Sequence, residues 1–257
     1  MPTLDRAGVK LHYETYGAGP VILLSHGYSA TTEMWRGQIE ALSRDHQLIL
    51  WDMRGHGRSD YPADPAEYSE DKTVADMAAL LDAAGADRAI VGGLSLGGYM
   101  SLAFHRAHPE RVRALLIIDT GPGFKNEEAR EKWNRRCEEF ARHFEAEGLG
   151  YLRSLSKEMT MSSHRSADGL VRAARGMLIQ RDARVIQSLA GIQVPALVIV
   201  GADDTPFLAA ADYMAAKIPN AMKVVIPGAG HASNIDQPGE FNRAVVRFLA
   251  DQAFTRV

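Results

Sequence analysis

The amino-acid sequence predicts an α/β fold: a mostly parallel, twisted sheet of about eight strands, with helices on both faces and an inserted helical cap. Three observations lead there. Short apolar runs alternate with helical stretches along most of the chain, the pattern of βα units feeding one parallel sheet. The alternation fails once, between Asp119 and about Gly191, where the sequence is helical and highly charged with no credible strand. A glycine-rich turn, VGGLSLGG, joins one apolar run directly to the helical stretch after it. At 257 residues the chain has room for one large domain, or one domain carrying an insertion, and for a sizeable core.

In chain order, VKLHYETYG near the start reads as an antiparallel edge strand. VILLSH (21–26) and QLILWDM (47–53) are apolar enough to be strands buried on both faces. After Thr73, Val74, Met77, Ala78 and Leu81 recur at i, i+3, i+4 and i+7, one apolar helical face. AIVGGLS (89–95) is the next strand, and an Ala/Leu-rich helix runs from it towards His108. ALLIID (114–119) closes the first half. The charged interval follows, and its first helix, from about Glu127, carries Trp133, Cys137, Phe140 and Phe144 at helical spacing. Such a stripe packs a cap onto a core or lines a pocket beneath it. ALVIVG (196–201) and MKVVIP (222–227) resume the buried strands, and Phe241, Ala244, Val245, Phe248 and Leu249 form the last helical face. The expected division is a core of residues 1–123 and 191–257 with a cap at 124–190. There is no internal repeat or low-complexity tract.

Composition narrows the function. With 46% hydrophobic and 24% charged residues the chain is an ordinary globular one. A formal net charge of -3 without a basic tract gives no electrostatic reason to expect nucleic acid or an anionic membrane as partner. MPTLDRAGVKLHYE lacks an apolar signal core, and no apolar run approaches the roughly 20 residues that span a bilayer. The expected location is cytoplasmic. Cys137 is the single cysteine, so neither an internal disulfide nor a zinc thiolate cluster is available.

Gly93-Leu94-Ser95-Leu96-Gly97 is G-x-S-x-G set between a strand and a helix. In that context it reads as a nucleophile elbow, a sharp turn that holds the serine in a strained conformation. Chain passes close to such a turn, and glycine removes the side chains that would collide. The helix that follows aims its N-terminal amides at the site. A serine hydroxyl is a poor nucleophile at neutral pH, so a base must take its proton and an acid must orient that base. His231, in the loop PGAGHASNIDQP after the last strand, is the best-placed histidine; His105 and His108 lie in or at the end of a helix. For the acid, Asp203 and Asp204 follow ALVIVG, and Asp119 ends ALLIID. Each gives the chain order Ser, Asp, His.

HGYSATTEMW after an early strand, DMRGHGRSD after the next, GLSLGG, GADD and GAGH together resemble the α/β-hydrolase fold superfamily over nearly the whole chain. The resemblance implies that the acid is Asp204. It implies an oxyanion hole made by the backbone N–H groups of Tyr28 and Leu96, with His26 and Gly27 shaping the loop. It gives Arg54, His56 and Ser59 a structural role. Pro206 follows Asp204 more closely than in many relatives, so the acid loop is expected to run differently. Tyr28, Trp133, Phe140 and Phe207 are the candidate substrate-binding residues.

The implied chemistry is acyl transfer to water, with Ser95 as nucleophile, His231 as base and Asp204 as its partner. It requires neither a metal nor an organic cofactor. A serine at the elbow argues against the dehalogenase and epoxide hydrolase branches, which use aspartate there. The expected substrate is a small-molecule ester or lactone. A C–C bond hydrolase acting on a ring-fission diketone, a cofactor-free haloperoxidase or perhydrolase, and a cap-switched ligand receptor with vestigial hydrolase activity are the alternatives.

Overall fold

A computed structural model describes residues 2–252. Eight strands form one sheet: β1 (Thr3–Arg6), β2 (Val9–Tyr16), β3 (Val21–Ser25), β4 (Gln47–Trp51), β5 (Ala89–Leu94), β6 (Val112–Ile118), β7 (Ala196–Gly201) and β8 (Ala221–Ile226). Their spatial order is β1-β2-β4-β3-β5-β6-β7-β8. β1 and β2 pair antiparallel to each other and β2 antiparallel to β4, while β3 to β8 run parallel.

Side chains of a strand alternate between faces, and the central strands are apolar at every position because both faces are covered. Leu23, Val91, Ile117 and Val198 join one cluster, under α2 (Glu70–Ala83), α3 (Leu96–Ala107) and α8 (Thr205–Lys217). Ile22, Leu24, Ile90, Leu116 and Ile199 join the other, under α1 (Ile39–Ser43) and α10 (Pro238–Asp251). Among the described residues, the interval between β6 and β7 contains no strand. It holds α4 (Glu127–Glu147), α5 (Lys157–Thr160), α6 (Ala167–Ala173) and α7 (Arg184–Ser188). On α4, Cys137, Ala141 and Phe144 are buried, and burial pushes the Cys137 thiol up to about 12, too high for a reactive thiolate.

Two sequence expectations need correction. β2 is antiparallel but is not the edge, because β1 lies outside it; four residues, TLDR, are too few to show a period. β8 is not buried on both faces: it is the opposite edge, and Met222 and Val225 are 40% and 39% exposed.

Behind the parallel strands, Arg54 and Asp76 form a buried ion pair with two hydrogen bonds, Nε to Oδ2 at 2.6 Å and Nη2 to Oδ1 at 2.8 Å, and Arg54 also meets Glu67. The pair fastens the loop after β4 to α2. Asp76→Ala would leave the guanidinium buried without its main partner, and is expected to cost about 3–5 kcal/mol. Urea unfolding of the two proteins checks it through a lower midpoint at unchanged slope.

Candidate active site

The parallel strands end in loops along one edge of the sheet, and Ser95, Asp204 and His231 lie in those loops. Ser95 stands between β5 and α3 with φ 53° and ψ -115°. A non-glycine residue is rare at positive φ, and such strain persists only where the surroundings enforce it. Here Ser95 N–H donates to Ile118 O (2.9 Å), and Ser95 O accepts from Tyr99 N–H (3.0 Å) and Thr120 Oγ1–H (2.6 Å). The flanking glycines are explained by space. A Cβ on Gly93 would stand 2.5 Å from Gly97 C and from Ser25 O, and one on Gly97 would stand 2.1 Å from Ser25 O.

Leu96 is the first residue of α3, so its N–H is among those a helix leaves without an intrahelical acceptor. The loop carrying Tyr28 passes beside it: a Cβ on Gly27 would lie 3.6 Å from Ser95 Cβ. Two neutral histidines hold this loop. His26 Nε2 accepts from Met53 N–H (2.9 Å) and its Nδ1–H donates to Gly27 O (2.7 Å). His56 Nε2 accepts from Ser29 N–H (3.2 Å) and its Nδ1–H donates to Arg54 O (3.0 Å). Burial keeps both imidazoles below their ordinary pKa. Ser59 Oγ–H donates to Asp52 O, so Arg54, His56 and Ser59 all serve as supports for the loops.

Asp204 Oδ2 lies 2.9 Å from His231 Nδ1. Asp204 also occupies the N-cap position of α8, with Pro206 in the helix's first turn, but its carboxylate makes no cap bond. The close proline thus starts the helix immediately and leaves the carboxylate to the imidazole. With Nδ1–H held by the carboxylate, the lone pair of the neutral ring is on Nε2. Among the described residues no hydrogen bond links Ser95 Oγ to His231, a contact that commonly tightens only with substrate. Burial is the largest influence on His231 and opposes its charge, yet the bond and charge of Asp204, followed by the charges of Asp119 and Glu158, outweigh it and raise the pKa.

Asp119 is not beside the imidazole in the way an orienting acid must be. Its Oδ1 accepts from Gly201 N–H (2.8 Å), and its Oδ2 accepts from Ser233 N–H (3.0 Å) and Ser233 Oγ–H (2.6 Å). It ties the start of the Asp204 loop to the residue two beyond His231. Burial, only partly offset by these donors, pushes it up to about 7.

A largely apolar cavity opens against Ser95, lined by Leu96, Tyr99, Phe124, Trp133, Leu178, Gln180 and Phe207 among others. Phe207 stacks on the His231 ring at 4.8 Å. Trp133 Nε1–H donates to Leu178 O (2.8 Å), and both residues line the cavity. Of the other two expected binding residues, Tyr28 commits its hydroxyl to Leu170 O (2.9 Å), and its ring meets Phe140 at 5.7 Å. That pair joins the loop to the helical interval and does not line this cavity. Sequence reading missed Thr120, Leu178 and Gln180, whose types carry no signal of a site. Among the described residues, no group of three or more His, Cys, Asp or Glu side chains could hold a metal ion, and no helix is long and apolar enough to cross a membrane.

Comparison with known proteins agrees with this fold. A family model described as alpha/beta hydrolase fold matches residues 20–181. The chain is 30% identical to 3-oxoadipate enol-lactonase 2 of Acinetobacter baylyi, over 95% of this chain and 94% of that one. Over 119 residues, 46% of this chain and 44% of the other, it is 44% identical to a protein of Azorhizobium caulinodans whose name provisionally assigns it carbamate hydrolysis. Among solved structures, a thermophilic esterase from Thermogutta terrifontis superposes with a TM-score of 0.81 at 30% identity, covering 97% of each chain.

Titration of the His231 imidazole by NMR is expected to give a midpoint above the ordinary 6.5 or so. In Asp204→Asn the midpoint should fall, because the largest raising influence is gone and burial remains.

Proposed function

The chain belongs to the alpha/beta hydrolase fold family, whose relatives include ester and lactone hydrolases, and on that premise we propose that it cleaves a carboxylic ester or lactone through an acyl-enzyme on Ser95. The observation that carries this reading is the 2.9 Å bond between Asp204 and His231 Nδ1, at the same edge of the sheet as a serine held at positive φ.

In this mechanism His231 Nε2 takes the Ser95 proton as Oγ bonds to the substrate carbonyl carbon. The carbonyl oxygen becomes an oxyanion, received by the N–H groups of Tyr28 and Leu96, each worth roughly 3 to 4 kcal/mol by analogy with other oxyanion holes. The positive end of α3 favours the same charge. Collapse of the adduct breaks the bond to the leaving oxygen, which takes the proton from His231; in a lactone that oxygen stays tethered to the acyl group. Water then gives a proton to His231 and attacks the acyl carbon, and Ser95 leaves with that proton restored. Asp204 holds the imidazole in the tautomer both steps need.

Residues 124–190 serve as a cap in this reading. Support comes from Trp133, Leu178 and Gln180, which reach the cavity against Ser95 from that segment.

Three expectations test the proposal. A fluorophosphonate should add its mass to the wild-type protein and not to Ser95→Ala; undiminished labelling of the variant would remove Ser95 from the role. Asp204→Asn should lose on the order of 10⁴ in kcat, and Asp119→Asn far less, with the reverse ranking moving the acid to the end of β6. With a p-nitrophenyl ester, whose leaving group needs no proton, kcat/KM should be low in acid, where imidazolium cannot accept. It should rise through one ionisation above about 6.5 and then stay flat. A pH-independent rate between about 5 and 8 would exclude His231 as the base.

A further inference from the structure

Gln180 lines the cavity that opens against Ser95 and is 9% exposed. Its backbone is clamped by one residue of α4: Gln180 N–H donates to Asn134 Oδ1 (2.8 Å), and Gln180 O accepts from Asn134 Nδ2–H (3.0 Å). The side-chain oxygen is committed as well, since Oε1 accepts from Phe124 N–H (3.1 Å). Gly123 makes room for it: the residue stands at φ 90°, and a Cβ there would lie 2.9 Å from Oε1. The donor at Phe124 identifies which end of the amide is oxygen, so the other end is Nε2. Among the described residues Nε2 has no acceptor. Polar groups on buried residues are hydrogen-bonded as a rule, and an exception asks for an explanation.

The other side-chain donors of the lining are taken. Trp133 Nε1–H donates to Leu178 O (2.8 Å), Tyr99 Oη–H to Glu70 Oε2 (2.9 Å), and Thr120 Oγ1–H to Ser95 O (2.6 Å). Ser95 is the nucleophile of the proposed reaction. Among the described residues no Asp, Glu, Lys, Arg or His side chain lines the cavity, whose surface is largely apolar. The loop after β6 forms one wall of it. A Cβ on Gly121 would lie 3.5 Å from Ala210 Cβ and 3.9 Å from the Phe207 ring, while one on Gly123, two residues on, would meet Gln180 and, at 3.4 Å, Tyr99. The amide therefore shares a wall with Phe207, the ring that stacks on His231.

We propose that Gln180 Nε2 is a specificity-determining donor, selecting substrates that carry a second, uncharged acceptor oxygen, such as a ketone, besides the carbonyl that Ser95 attacks. This rests on the hydrolase reading above and names its substrate class. A ketone oxygen takes the bond that Nε2 lacks, whereas a methylene at the same point excludes water and leaves the donor unmet. A carboxylate fits less well, although it accepts strongly: entering the cavity strips its water, and no cation lines the wall to compensate. The bonds from Asn134 and Phe124 hold the amide in place, so binding needs no reordering of this side chain.

The test follows acid release by the full chain at pH 8 from esters of matched shape. Ethyl 5-oxohexanoate, ethyl hexanoate and monoethyl glutarate place a ketone, a methylene and a carboxylate at one point of the acyl chain; 4-oxopentyl butyrate and pentyl butyrate make the first change in the alcohol. Wild-type kcat/KM should favour ketone over methylene by about five-fold or more in one of the two series, and monoethyl glutarate should be the poorest of its three. Gln180→Met, which removes both N–H donors at similar length, should bring the ketone-to-methylene ratio close to one. A purely structural Gln180 would lower both members of a pair together and leave the ratio standing. If Gln180→Met fails to fold, Gln180→Glu decides, since it keeps an acceptor for Phe124 N–H and loses the donors. Wild-type ratios near one in both series, a ratio that the folded variant leaves unchanged, or monoethyl glutarate as the best of its three overturns the proposal, while Ser95-dependent hydrolysis leaves the parent reading intact. Absence of hydrolysis of all these esters and of p-nitrophenyl butyrate by the wild type overturns the parent reading itself.

Discussion

The turn at Ser95 closes only because nothing projects from Gly93 and Gly97. With Cβ positions 2.5 and 2.1 Å from Ser25 O, even alanine at either glycine would drive apart β3 and the start of α3. Ser25 ends β3, the strand paired with β5, and the loop after it carries Gly27 and Tyr28. One close approach therefore fixes three things together: the strained φ of Ser95, the start of α3, and the path of the Tyr28 backbone. None of these could be adjusted separately by evolution or by design. The strain is enforced by backbone bonds from neighbouring strands, as residues at positive φ require. Thr120 contributes from β6's side by donating to Ser95 O.

A second constraint acts across the sheet. The carboxylate and imidazole that meet at 2.9 Å arrive on separate loops, after β7 and after β8, and Asp119 links both from the end of β6. A Cβ on Gly201 would stand 2.2 Å from Gly230 O, so the two loops are in contact as well as bridged. Burying Asp119 has a cost. Its pKa near 7, against about 3.9 in an unfolded chain, means the folded state keeps a proton that the unfolded state loses, so this residue's contribution to stability falls as pH rises from about 4 to 7. The arrangement trades stability for the position of two loops whose own backbones could not hold it.

What was legible in the sequence was whatever has a period or a fixed offset. The central strands, apolar at every position, and the helices, with i, i+3, i+4 spacing, gave up the layer plan, and GLSLGG between strand and helix gave up the elbow. β1 was invisible because four residues contain no period, and the edge position of β8 because AMKVVI is as apolar as a buried strand while it leaves Met222 and Val225 in solvent. Asp119, Asp203 and Asp204 were equivalent by local reading, since each follows a strand. The difference between them is one of direction: Asp204 meets an imidazole, and Asp119 meets the amides of Gly201 and Ser233. Glu158 carried no signal at all. In a charged helical stretch one glutamate looks like the rest, and only its burial sets it apart.

The contacts between the interval and the core also divide the work of the site. Tyr28 and His164 tie the interval to the loop after β3, through Leu170 O and Ser29 O, while Trp133 and Leu178 line the cavity against Ser95. His164 accepts from Gly57 N–H as well, so both of its nitrogens are committed, and burial pushes it down to about 4. It therefore stays neutral around pH 7. The imidazole whose pKa is raised and the imidazole whose pKa is lowered thus face opposite demands. In the proposed mechanism the first changes charge in every turnover, while the second stays neutral. The main physical distinction between them is a direct carboxylate partner: Asp204 is hydrogen-bonded to His231, whereas both nitrogens of His164 face backbone groups, an amide and a carbonyl.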